Sequence, residues 1–261
     1  MSKLIAQQSL AIIGSRGMVG SDLTRFLKPY FQKIIGITRK NYDRYRGTSF
    51  DIVINANGNS NKVWAKNNVL SDFAASTTSV YASLFDFPCK TCIYISSSDV
   101  YENHTSKKST KESKSIEIEN LSSYGFHKYL SERIVKNFTK NYIILRCPMI
   151  LGNNLKKGPI YDILNNSRLF ISADSAFQMI TTKELAQIIY FLLHQNIAKE
   201  VFNVGGRGIV ILREIDKYIH KPITFPKDGK TQIYETSVSK LNKIYHLKTS
   251  LKYLQDFLKQ L

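Results

Sequence analysis

LAIIGSRGMVG, residues 10–20, is the stretch on which the reading of this chain turns. An apolar run, Leu10 to Ile13, breaks into three glycines, after which apolar residues recur at helical spacing: Met18, Val19, Leu23, Phe26 and Leu27. A strand that passes through a glycine turn into a helix offers an anion free N–H groups and the positive end of the helix dipole. A dinucleotide's pyrophosphate suits that place. Gly14 permits the tight turn, Gly17 lets the backbone approach the phosphates, and Gly20 lets the helix lie close to the strand. Working outward, strands are predicted at about 9–14, 33–38, 51–55, 91–96 and 142–146, and helices at about 18–28, 62–86 and 122–138. This alternation is that of an α/β fold, a doubly wound parallel sheet of Rossmann type with helices on both faces. The polar stretch 102–120 reads as a mobile loop. After Arg146 the pattern changes: a turn-rich GNNLKKGP leads into short strands at 168–172 and 201–204 and helices at about 160–166, 183–194, 212–219 and 239–259. The chain therefore divides into a nucleotide-binding lobe, 1–150, and a small substrate-binding lobe, 151–261, interleaved with late segments of the first.

The 261 residues, 43% of them hydrophobic, suffice for one α/β core and a small appendage. No early apolar stretch has signal-peptide flanks and none reaches the ~18 uninterrupted apolar residues of a membrane span, so a soluble, cytoplasmic protein is expected. Three cysteines argue against a disulfide framework; Cys89 and Cys92 form a CxxC without the second ligand pair that zinc requires. The histidines lack metal-ligand spacing, and no metal site is expected. The net charge of +17 is spread along the chain as scattered lysines with no nucleic-acid-binding motif, which reads as a solvated surface with a mild attraction for anionic small molecules. Neither a nucleic acid nor a membrane is an expected partner.

Further motifs follow in order: INANG at 54–58, YISSSDVY at 94–101, YGFHK at 124–128, LRCPMILG at 145–152 and FNVGG at 202–206. With GSRGMVG, they make the chain resemble the extended short-chain dehydrogenase/reductase family, the NAD(P)-dependent epimerases, dehydratases and reductases of nucleotide sugars. The glycine loop is most similar to that of the GDP-fucose synthase branch. The resemblance implies hydride transfer between a nicotinamide and a carbon bearing oxygen, with Ser97, Tyr124 and Lys128 as the catalytic set. Tyr124 would exchange a proton with that oxygen. A free phenol titrates near ~10, and Lys128, one helical turn on, brings a positive charge that favours the phenolate. Lys128 would also hold the nicotinamide ribose. Ser97 stands three positions before Val100, as the family's hydroxyl residue does, although Ser96 and Ser98 flank it and the assignment can slip by one. His127 falls off the Tyr124–Lys128 face and reads as a surface or packing residue.

The end of the second predicted strand, GITRK at 36–40, lacks the acid that accepts from an NAD ribose. Arg39, with Lys40, and Arg16 inside the glycine loop can meet a 2′-phosphate instead, so NADP(H) is the expected cofactor. The resemblance places Gly14, Arg16, Gly17, Met18, Val19, Gly20, Thr38, Arg39, Lys40, Asn55, Ala56, Asn57, Gly58, Tyr124, Lys128, Pro148 and Ile150 around it. Two departures from the family bear on the reaction. The Asp-Glu pair that serves dehydration is replaced by Ser98 and Asp99, which leaves the minimum for ketone reduction. Phe177 and Gln178 stand where many relatives carry an arginine for the substrate diphosphate; Lys156, Lys157, Arg168 and Arg207 are alternative cations. The expected activity is NADPH-dependent reduction of a 4-keto-6-deoxy nucleotide sugar for surface polysaccharide synthesis. An NAD-dependent nucleotide-sugar 4-epimerase or a non-catalytic NADP(H)-binding sensor is the alternative. Helical faces in 62–86 and 122–138 are candidates for pairing two chains as a homodimer.

Overall fold

The computed structural model describes residues 5–261. A six-stranded parallel sheet runs in the order β2-β1-β3-β4-β5-β9, with β1 at Ser9–Ile13, β2 at Lys33–Ile37, β3 at Phe50–Asn55, β4 at Cys89–Ser97, β5 at Tyr142–Cys147 and β9 at Glu200–Asn203. The inner strands are buried on both faces, and their side chains alternate between two layers. Leu10, Ile12, Ile52, Ile54, Ile93, Ile143 and Leu145 pack under α1 (Met18–Leu27) and a later helix, Thr182–His194. Ala11, Ile13, Val53, Cys92, Tyr94 and Ile144 point the other way. There Cys92, Tyr94 and Ile144 meet Val80 and Val135, from helices Ser79–Asp86 and Ser123–Phe138, while Ala11, Ile13 and Val53 cluster with Phe87. The chain reverses direction across the sheet between β1 and β3, and the crevice at such a switch point is where this architecture binds ligands.

The predicted strands of the sheet all form. The predicted helix 62–86 is instead a series: α2 (Lys62–Asn67), α3 (Val69–Phe73), a π turn at Ala74–Thr78 and α4 (Ser79–Asp86). Asn68 interrupts the first pair with φ −135° and ψ 56°, outside the helical region. The helix that carries YGFHK, α5 (Ser123–Phe138), is capped by Ser122, whose side chain accepts from the Gly125 N–H.

The later segments build a second core of Leu151, Ile160, Leu169, Phe177, Met179, Val210, Leu254 and Phe257. They include β6 (Met149–Leu151) paired with β8 (Met179–Thr181), and β7 (Ala176–Phe177) between β10 (Val210–Ile211) and β11 (Ile233–Tyr234). The strand expected at 168–172 reduces to a single bridge from Ile171 to Lys230. The helix expected over 239–259 is two, Ser239–Asn242 and Ser250–Leu258, the second capped by Thr249. Asp22 of α1 links the sheet to these later segments by accepting from the Asn153 N–H and the Thr182 hydroxyl. Among the described residues no helix is long and apolar enough to cross a membrane.

Candidate active site

The glycine turn has the shape its sequence demands. Gly14 has φ +80°, and a Cβ there would sit 2.9 Å from the Ala56 carbonyl oxygen; one on Gly20 would collide with the Gly14 carbonyl. Gly14 and Ser15 donate their N–H groups to Ile37, which joins the ends of β1 and β2. The N-cap of α1 is Gly17, with no side-chain cap and no acid in the first turn, which leaves this helix end suited to an anion. These features fit a dinucleotide's pyrophosphate. Val19 packs on the sheet core, while the Met18 side chain lies against Gly152. Pro148, between β5 and β6, lies against Gly205, and Ile150 is half-buried in β6. After β3, Asn55 donates to Ser83 and accepts from the Asn57 N–H, Asn57 donates to Ser79, and Gly58 turns with φ +118°. A Cβ on Gly58 would be 3.6 Å from the Lys128 Nζ, which places this turn beside the motif helix.

At the end of β2, the Thr38 N–H and hydroxyl both bond to Asn41. Arg39, Lys40 and Arg16 are exposed, and none of the three enters an ion pair among the described residues. They are open cations at the edge of the crevice.

Ser97, Tyr124 and Lys128 are all buried at the carboxyl end of β4 and the start of α5. The Lys128 ammonium donates to the Ile95 carbonyl at 3.1 Å and lies 5.0 Å over the Tyr94 ring. Ser97 caps a short turn by accepting from the Asp99 N–H at 3.2 Å, and its hydroxyl donates to the Asp99 carboxylate at 2.8 Å. Burial pushes the Tyr124 phenol above the ordinary tyrosine range; Lys128 opposes this, Asp99 adds to it, and Lys62 and the Ser97 hydroxyl pull it back. The charge of Lys128 was expected to favour a phenolate. Desolvation outweighs it.

Sequence reasoning missed the groups that surround Asp99. Lys62 Nζ is 2.6 Å from one carboxylate oxygen and 3.0 Å from the Tyr234 hydroxyl, which is itself 3.4 Å from Asp99. Burial would lower the Lys62 ammonium, but Asp99 and Tyr234 reverse this and hold it above the usual lysine range. Tyr234 stacks between His104 and Phe177 in a cleft that Glu102 and Gln232 also line. No motif announces Lys62 or Tyr234: they are 172 residues apart and meet only through the pairing of β11 with β7 in the later segments. Gln178 is fully buried and spends its amide on Gly206 and Thr236. Of the alternative cations, Arg207 bonds to the Leu247 carbonyl and Arg168 lies over Phe170, while Lys156 and Lys157 are exposed.

Two other expectations are resolved by packing. His127 is buried, its ring nitrogen 2.6 Å from Asp72 and its edge against Phe73, so it is a packing histidine and not a surface one. The 102–120 loop, expected to be mobile, is pinned: Glu235 donates to the His104 carbonyl, and buried Thr110 bonds to Glu235 and Ser237.

The NAD dependent epimerase/dehydratase family profile matches residues 10–205, from β1 to the glycines after β9. The chain belongs to that family. None of the curated proteins matches the sequence. Among solved structures, the fold is similar to dTDP-4-dehydrorhamnose reductase from Bacillus anthracis in complex with NADP, at TM-score 0.82 and 16% identity over 98% of this chain and 99% of that one. It is similar to RMD from Pseudomonas aeruginosa complexed with NADPH, at 0.77 and 16% over 97% and 98%. The UDP-N-acetylglucosamine 4-epimerase from Methanobrevibacter ruminantium is also similar, at 0.73 and 15% over 98% and 100%.

Proposed function

We propose that this family member is an NADPH-dependent reductase of a 4-keto-6-deoxy nucleotide sugar, feeding surface polysaccharide synthesis in the cytoplasm. The observation that carries this reading is the grouping of buried Ser97, Tyr124 and Lys128 beside the glycine turn. Reduction of a ketone needs an acid where charge grows on oxygen, and a phenol, which titrates near ~10, supplies one at neutral pH. Bound NADPH would supply the hydride. Gly14, Gly17, Gly20 and the start of α1 would hold its pyrophosphate, Arg16, Arg39 and Lys40 its 2′-phosphate, and Lys128 its nicotinamide ribose. Met18, Val19, Thr38, the 55–58 turn, Pro148 and Ile150 would line the remainder. Tyr124 gives its proton to the substrate oxygen, and Ser97 flanks that oxygen. The similarity to a dTDP-4-dehydrorhamnose reductase in complex with NADP and to RMD complexed with NADPH supports the choice.

The test is NADPH consumption with dTDP-, GDP-, CDP- and UDP-linked 4-keto-6-deoxy sugars, with the cofactor extracted from the purified protein in parallel. Turnover of one of them with exchangeable NADP(H) is the expected result. Stoichiometric, tightly held NAD would favour the epimerase instead. A homodimer is also proposed. Tyr81, Phe85 and Phe138 are exposed yet form a mutual edge-to-face cluster across α4 and α5. A contiguous aromatic patch of this kind is a common basis for association.

A further inference from the structure

The turn after β4 carries a polar set that proton transfer from Tyr124 does not use. Asp99 is buried, one carboxylate oxygen accepting from the Ser97 hydroxyl at 2.8 Å and the other held by Lys62 at 2.6 Å. Lys62 also donates to the Tyr234 hydroxyl at 3.0 Å, and that hydroxyl lies 3.4 Å from the oxygen Lys62 holds. Tyr234 is fixed in turn, its ring stacked on His104 and on Phe177 with centroids 4.1 and 5.6 Å away. Two hydrogen-bonding positions are left over. An ammonium has three donors, of which Lys62 spends two, and its side chain is half-exposed, so the third opens onto the crevice. A carboxylate has about four acceptor sites, and on Asp99 Ser97, Lys62 and Tyr234 occupy all but one. The pair offers one donor and one acceptor side by side. Asp99 and Tyr234 hold the Lys62 ammonium above the usual lysine range, so it stays a donor.

We propose that Lys62 and Asp99 are specificity-determining residues that read one hydroxyl of the sugar, the one on the carbon next to the ketone, an assignment that rests on the reductase reading. A hydroxyl both accepts and donates, so it completes both members of the pair at once. Asp99 stands one hydrogen bond from Ser97, the side chain assigned to flank the reacting oxygen. Oxygens on neighbouring carbons of a pyranose ring are also about one hydrogen-bond length apart. In a 4-keto-6-deoxy sugar the hydroxyl next to the ketone is that on C3, since C5 carries the ring oxygen and the methyl group. A hydrogen in its place would leave a donor and an acceptor unpaired as the sugar covers them. A carboxylate there would meet the charge of Asp99, and an ammonium that of Lys62. Tyr234 acts through Lys62 and is a positioning residue.

The experiment measures kcat/KM under saturating NADPH for the 4-keto-6-deoxy nucleotide sugar that wild type reduces and for its 3-deoxy analogue. Wild type should favour the hydroxyl-bearing sugar by ~10²-fold, because a site built to bond a hydroxyl rejects the analogue that lacks it. Lys62→Met combined with Asp99→Leu removes the pair without leaving a lone buried charge and should bring the preference down to ~3-fold or less. Tyr234→Phe, which only frees Lys62, should lower it in part, by ~3-fold or more. Each preference compares two substrates in one protein, so general damage to folding or to Tyr124 cancels. A wild-type preference below ~10-fold, or one that both variants keep in full, would overturn the proposal. Should wild type reduce none of the sugars, the reductase reading fails, and the pair is tested by calorimetry on the NADP-loaded protein. The ligands are dTDP-, GDP-, CDP- and UDP-linked 6-deoxy sugars with and without the C3 hydroxyl. A preference for the hydroxyl that the double variant loses would uphold the pair; equal dissociation constants, or binding of none of the ligands, would overturn it.

Discussion

At the scale of single residues, Tyr124 carries the sharpest prediction. Tyr124→Phe keeps the ring and removes the transferable proton, so kcat should fall by ~10²-fold or more while NADPH affinity, read by fluorescence titration, changes little. Because the acting form is the protonated phenol, wild-type kcat should hold steady through neutral pH and fall as pH rises through the raised Tyr124 value. Lys128→Met removes a charge that lowers that value, so the fall should move to higher pH, as a kcat profile would record. Arg39 is tested by reversal of charge. Arg39→Asp should weaken NADPH by ~10²-fold or more and leave NADH unchanged or improved; equal losses for both cofactors would remove Arg39 from the 2′-phosphate. The residues of these tests were proposed from short local patterns, Tyr124 and Lys128 from YGFHK and Arg39 from the end of GITRK. Lys62 and Tyr234 were not, since a contact across 172 positions leaves no local periodicity. Nor could sequence weigh the burial of Tyr124 against the charge of Lys128, as burial is a property of everything packed around it.

Among the elements, α5 and β5 are joined by a buried ion pair. Arg146 makes a bidentate contact with Glu132, which also accepts from Ser96, and reaches on to Tyr101 and through it to Asn203 of β9. Arg146→Met would leave Glu132 buried without its cation, a change that typically costs about 3–5 kcal/mol. A melting temperature lowered by roughly 10 °C is expected, and Glu132→Leu in the same protein should recover most of it. Strand positions were legible in the sequence because strands buried on both faces are short continuous apolar runs. Helix continuity was less so: the apolar pattern of 62–86 persists through Asn68 and the π turn, since both keep the inward face inward. The break before the last helix did leave a sign in Thr249, whose side chain caps the Lys252 N–H.

For the whole molecule, the aromatic cluster of Tyr81, Phe85 and Phe138 predicts the state of assembly. Wild type should sediment as a dimer, and Phe85→Lys with Phe138→Lys as a monomer that keeps its helical signal; a monomeric wild type would withdraw the proposal. The second core, beyond the change of pattern after Arg146, is assembled from two- and three-residue strands too short for any alternation to register. The fastening of the 102–120 loop has a practical side. Its anchors, His104 and Thr110, come early, and Glu112 reaches the Asn203 N–H, whereas Ser115 is exposed beyond them. An epitope or fluorophore grafted at Ser115 should leave thermal stability and nucleotide binding untouched, while the same graft at Thr110 should unfasten the loop from 235–237 and lower both. The chain thus carries, a few residues from its crevice, a natural port for immobilising or imaging the working protein.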